Sequence, residues 1–137
     1  MESILSYLMA IQRTAKGIHY RCLGNNFWAD HKMADEIFDD IEEHLDEIFE
    51  VCYMGREKEV PQEKAIMSGA SGLMPLVGED IARAFGLLDE LIVNCLADIE
   101  LQLRSEQITA GETDVLGRIS SDLQKKHGWI LRRTRGV

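Results

Sequence analysis

Apolar residues recur at steps of three and four along most of the chain, and its two prolines, Pro61 and Pro75, both fall in the middle. Proline lacks a backbone donor and clashes with the preceding turn, so helix interiors exclude it. The stretches before, between and after the prolines are therefore free to be helical. Ile4, Leu8, Ile11, Ala15, Ile18 and Cys22 form one amphipathic stripe. Gly24-Asn25-Asn26 stops it, with Gly24 suited to a C-cap and Asn26 to the next N-cap. The spacing predicts a second helix over 27–54, striped by Ile37, Ile41, Leu45, Ile48 and Cys52, with Phe38 and Phe49 alongside and Gly55 at its end. Residues 56–75 are polar, then rich in Gly, Ser and Pro, and read as a crossover carrying a short helix near 61–67. A third helix is expected over 76–107, with Ile81, Phe85, Leu88, Ile92, Cys95, Ile99 and Leu103 on its stripe. Thr109-Ala110-Gly111 breaks the pattern, and a fourth helix is expected from Thr113, including Val115, Leu116, Ile119, Leu123, Trp129 and Ile130.

Two helices joined by a tight turn, a long connection and two more helices make an all-α chain with the layout of a ferritin-like four-helix bundle. An up-down bundle would not need the long middle connection. At 137 residues the expected unit is one domain, 1–137. Hydrophobic residues at 45% and charged residues at 28% exclude a disordered chain. No apolar run approaches the roughly 18 residues of a membrane span. Met1-Glu2-Ser3 lacks the basic start of a signal peptide, so a cytoplasmic, non-membrane protein is expected. Cys22, Cys52 and Cys95 are odd in number and lie near apolar stripes, as reduced core residues would.

The charge is uneven. The net value is −9, and residues 30–50 hold ten carboxylates against one lysine, whereas 125–135 hold five basic residues and no acid. Such a balance disfavours general nucleic-acid binding, which rests on neutralising phosphates. Within the acidic stretch, His31, Asp35, Asp46 and Glu50 stand at helical spacings, with His19 upstream of the Gly24 break. Two imidazoles and three carboxylates suit borderline or hard divalent ions, iron among them, better than a structural zinc. His31/Asp35 and Asp46/Glu50 are i,i+4 pairs, and the eleven residues from Asp35 to Asp46 make about three whole turns. All four can share a stripe, but the pairs lie ~16 Å apart along the axis at about 1.5 Å per residue. One chain cannot close one site with all five. Two arrangements remain: two weak half-sites per chain, or a site shared by two antiparallel copies, which a two-fold dimer forms twice. The competing reading is a solvated acidic face, where i,i+4 carboxylates merely repel.

The segment His19-Tyr20-Arg21-Cys22-Leu23-Gly24-Asn25-Asn26-Phe27-Trp28-Ala29-Asp30-His31 resembles the junction between the first two helices of Dps-type miniferritins. There a His, usually followed by Trp, precedes a Gly-x-Asn-Phe segment, a second His, an Asp one turn on and an Asp-x-x-x-Glu motif. Here these are His31, Asp35 and Asp46-Glu47-Ile48-Phe49-Glu50, and Lys126-His127-Gly128-Trp129-Ile130-Leu131 is similar to the closing helix. The resemblance implies a hollow homo-oligomer, a dodecamer built from two-fold dimers. It implies ferroxidase sites in which His19, His31 and Asp35 of one chain face Asp46 and Glu50 of another. Iron would bind as Fe(II), be oxidised with peroxide or oxygen, and be stored as ferric mineral, protecting against oxidative damage. The alternatives are a non-enzymatic ferritin-like shell and a DNA-protecting protein with weak ferroxidase activity.

Other residues fall around this core reading. Asp39, Asp40, Glu42 and Glu43 are candidates for a mineral-nucleating surface, and Glu112, Asp114 and Asp122 for an acidic three-fold pore. Tyr20 stands where the family usually has Trp, and Val51 where an Arg often follows the motif's Glu. The family's Lys-rich N-terminal arm has no counterpart, so DNA binding by that route is not expected. Arg132, Arg133 and Arg135 are expected to complement the end of the last helix or to pair with acids. His44 and His127 are expected to be ordinary surface or core residues. Trp28 and Trp129 are expected in the core or at a subunit contact.

Overall fold

The computed structural model describes residues 1–135; Gly136 and Val137, the last two residues of the expected domain, lie outside the described residues. Among the described residues the regular structure is entirely helical. α1 (Glu2–Arg21) is followed by α2 (Phe27–Asp39) and α3 (Ile41–Glu47), then a π-helical stretch, Ile48–Tyr53, and a 3₁₀ turn, Met54–Arg56. α4 (Glu63–Leu73) lies in the crossover, and α5 (Ile81–Leu103) and α6 (Ala110–Arg135) complete the chain. No helix among the described residues is long and apolar enough to cross a membrane.

α1 is the centre of the packing. It meets α2, α3, α4 and α5, while α5 also packs on α6 and α6 on the π-helical stretch. The elements thereby close a ring around Leu8, Ile11, Ile18, Ile37, Ile41, Ile48, Phe85, Leu88, Ile92, Leu116, Ile119 and Leu123, all buried. The sequence marks one apolar stripe on α1, yet Ser6, Gln12 and Thr14 are buried as well. Gln12 reaches Glu42 of α3, and Ser6 is covered by α4, which is longer than the expected 61–67 helix and lies directly on α1. Gly69 permits this approach: a Cβ there would meet the Ser6 hydroxyl at 2.5 Å, and that hydroxyl bonds Ile66 O at 3.3 Å. All three cysteines are buried free thiols, and burial pushes each up, Cys52 to about 11.

The expected single helix over 27–54 is instead broken. Asp40 leaves the helical pattern between α2 and α3, and after α3 the chain widens to π geometry at Ile48–Tyr53. Asp40 faces a buried charge that periodicity cannot see. Lys126 of α6 is fully buried on the stripe of Ile119, Leu123 and Ile130. Its Nζ lies 2.7 Å from Asp122 Oδ2 and 3.9 Å from Asp40 Oδ2, and His44 Nε2 donates to the same Asp122 oxygen at 2.7 Å. An unpaired buried ammonium would be very costly, so the carboxylates compensate it. α6 also starts earlier than Thr113, because Thr109 and Glu112 form a capping box. The Glu112 N–H donates to Thr109 Oγ1 at 3.2 Å, and the Thr109 N–H donates back to Glu112 Oε1 at 3.0 Å.

Burial alone raises the Asp122 carboxyl, but His44 and Lys126 outweigh it and hold the group at about 2. A carboxylate held below its unfolded value of 3.8 adds stability that is complete above about pH 4 and lost as pH falls through about 2. Asp122→Asn should therefore lower stability by about 2–4 kcal/mol at neutral pH and flatten its decline between pH 4 and 2, as read from urea unfolding across that range.

Candidate metal centre

The last carbonyls of a helix have no partner within it. α1 ends at Arg21, and the His19 carbonyl in its last turn accepts a hydrogen bond from His31 Nδ1 at 2.8 Å. The exchange is reciprocal, with His19 Nδ1 3.0 Å from the His31 carbonyl. The two rings stack with centroids 3.6 Å apart and planes 21° from parallel. A carbonyl only accepts, so each Nδ1 must carry the proton. In a neutral imidazole this leaves both Nε2 atoms with bare lone pairs, the form that binds metal ions. The backbone thus fixes tautomer and ring orientation together. The turn that makes this possible is Gly24, whose φ of 88° lies where glycine is at ease.

Asp35, one turn beyond His31, brings Oδ1 to 3.9 Å from His19 Nδ1. The same oxygen is 3.4 Å from Lys16 Nζ, an ammonium that also lies 4.4 Å from the centre of the Phe38 ring. A cation entering at Asp35 competes with Lys16. Lys16 stands three residues before His19 on the same face of α1, a spacing visible in the residues alone.

Asp46 on α3 and Glu50 in the π-helical stretch are both exposed. Among the described residues neither carboxylate takes a hydrogen bond or an ion pair from the chain. The break at Asp40 and the π turn alter the regular stripe expected from Asp35 to Glu50, because i→i+5 bonding rotates Glu50 away from its α-helical bearing. Among the described residues no three His, Cys, Asp or Glu side chains are grouped to hold a metal ion within one chain. His19 adjoins His31 and lies 3.9 Å from Asp35; Asp46 and Glu50 do not join them.

Aromatic surface borders the histidine pair. Tyr20 is 70% exposed, Leu23 62% and Trp28 72%. Phe27 and Trp28 lie along the His31 ring at centroid distances of 4.9 and 6.2 Å. Trp28 is therefore outside the core of this chain, while Trp129 is half-buried under Lys125.

Several secondary assignments change. Glu112 is buried in the α6 cap and paired with Arg56, and Asp122 belongs to the Lys126 cluster, so neither is free to line a pore. Burial raises Glu112, but Thr109 and Arg56 outweigh that and hold it below the usual range. Asp114 is exposed and pairs with Arg118. Asp39, Asp40, Glu42 and Glu43 are exposed, with Glu42 accepting from Gln12. His44 and His127 each bond a carboxylate from another helix, Asp122 and Asp89. Arg133 pairs with Asp30, one of the acid partners expected for the basic segment.

No protein-family model and no curated protein matches this chain. The hydrogen bonds make a direct prediction about the site. In ¹⁵N spectra of histidine-labelled protein at alkaline pH, His19 and His31 should both show the Nδ1–H tautomer, and His44, which donates through Nε2, the Nε2–H tautomer. His31 as Nε2–H would contradict the reciprocal pairing.

Proposed function

We propose that the chain is a Dps-type miniferritin that oxidises Fe(II) at sites shared between two copies and stores the ferric product inside a hollow shell. The closed packing ring with its helical crossover is read here as the ferritin-like four-helix bundle. The observation that carries the reading is the His19–His31 pair, each Nδ1 tied to a backbone carbonyl and each Nε2 left with its lone pair, with Asp35 Oδ1 3.9 Å from His19 Nδ1. Neutral imidazoles hold Fe(II) without adding charge, and carboxylates favour the ferric product; iron is thus the substrate of the site.

Asp46 and Glu50 are the complement this half-site lacks, and they are exposed and uncommitted within their own chain. A two-fold axis brings one chain's histidine end against another's carboxylate end and repeats the contact by symmetry. The exposed Tyr20, Leu23 and Trp28 beside the histidines are the apolar surface such a contact would cover. Lys16 gives the site an internal cation at Asp35 when iron is absent. The same ion pair favours, as second reading, a non-enzymatic shell in which Lys16 permanently occupies the position of the metal. DNA protection has less support, since Lys126 is buried and Arg133 is bound to Asp30.

Iron turnover separates these readings. The native protein should oxidise Fe(II) with peroxide faster than buffer does, and His31→Ala with Asp46→Ala should lower the rate about a hundredfold or to that of buffer. An undiminished rate in this variant, with assembly intact, would remove the site from the account.

A further inference from the structure

The junction that aims His31 is almost entirely exposed. Every residue from Leu23 to Ala29 lies at the surface, and the first buried side chain of α2 is a carboxylate, Asp30, at 3% exposure. Asn26 stands at the N-cap but makes no side-chain capping bond. Locally the turn is held by backbone bonds from Phe27 N to Gly24 O and from Asp30 N to Asn26 O. The Asp30 carboxylate is gripped from the far end of the chain, by Arg133 of α6. Arg133 Nε donates to one carboxylate oxygen at 2.8 Å and an Nη donates to the other at 3.2 Å. A two-pronged guanidinium–carboxylate bond fixes direction as well as distance, unlike a lysine contact.

Asp30 lies on the same stripe as Ala34, Ile37 and Ile41, where an apolar residue would serve packing alone. An apolar pair of similar volume is often as stable as a buried ion pair. The ion pair therefore supplies something that packing would not, namely a fixed angular setting for the first turn of α2. His31 is the next residue, and its ring must meet the His19 carbonyl at 2.8 Å.

We propose that Asp30 and Arg133 are positioning residues that set His31 against His19 and so make the last helix part of the metal centre. Neither residue touches the metal. They act through the orientation of the α2 first turn, and through it on the His31 tautomer. The metal-binding consequence rests on the function proposed above; the effect on His31 does not.

The test uses full-length assembled protein with paired neutral substitutions. Arg133→Met alone strands a buried carboxylate, so Asp30→Asn with Arg133→Met is the principal variant, and Arg133→Lys, which keeps the charge and loses the fork, is the second. Solid-state ¹⁵N spectra of the histidine-labelled protein read the tautomers without metal, and cobalt(II) titration reads the site. In the double variant His31 should shift from Nδ1–H towards Nε2–H while His44 keeps its native signal. Cobalt affinity should fall about tenfold, the scale on which loss of an orienting partner acts, with a smaller fall in Arg133→Lys. A native His31 tautomer in both variants would overturn the proposal, whether or not stability changes. If the native protein binds no cobalt through its histidines, the functional reading fails, and the tautomer still decides the positioning role.

Discussion

Two helices that meet at Gly24 exchange hydrogen bonds through their histidines, each ring giving its Nδ1 proton to the other's backbone carbonyl. One interaction thereby satisfies a carbonyl at the end of α1, orients two imidazoles and leaves two ring nitrogens unprotonated. The remainder of the fold holds the two partners still. α1 is packed by α2, α3, α4 and α5, and His19 stands in its last turn. His31 stands on the less protected side, at the start of a helix whose first turn is otherwise exposed.

Much of this was legible in the residues. The three- and four-residue apolar steps located the main helices, Gly24 located the turn, and the Pro- and Gly-rich middle located the crossover. The break at Asp40 was not legible, because its carboxylate faces a buried lysine that reaches it from α6; nothing in the apolar spacing marks the π turn. Asp30 and Lys126 show where pattern reading stops. Each stands on an apolar stripe, which signals a buried partner, yet nothing local says which distant charge supplies it. The early start of α6 was available from the Thr109-x-x-Glu112 signature, which the apolar periodicity obscured. Of the candidate site, the adjacency of His19, His31 and Asp35 follows from their spacing around one turn, whereas the tautomers and the competition from Lys16 need coordinates.

The separation between the two ends of the ligand set has a consequence for how the protein would work. A half-site with two imidazoles and one carboxylate is a weak trap for a divalent ion, weaker still while Lys16 neutralises Asp35. Adding two uncommitted carboxylates raises the negative charge and the ligand number at once, which draws iron in and stabilises the oxidised product. On the proposed function, carboxylates supplied by another copy would make oxidation conditional on assembly. Iron would then be oxidised where a shell exists to hold the product.

Mixed assembly tests this central claim most directly. His31→Ala and Asp46→Ala chains are unfolded together, mixed in equal amounts, reassembled, and assayed for Fe(II) oxidation with peroxide. Each variant alone lacks one end of every site. If the site spans two copies, random pairing restores about a quarter of the native sites, because each mixed dimer regains one intact site of two. Activity near a quarter of native is the expected result. Mixed assemblies no more active than either variant alone would contradict a site shared between two copies.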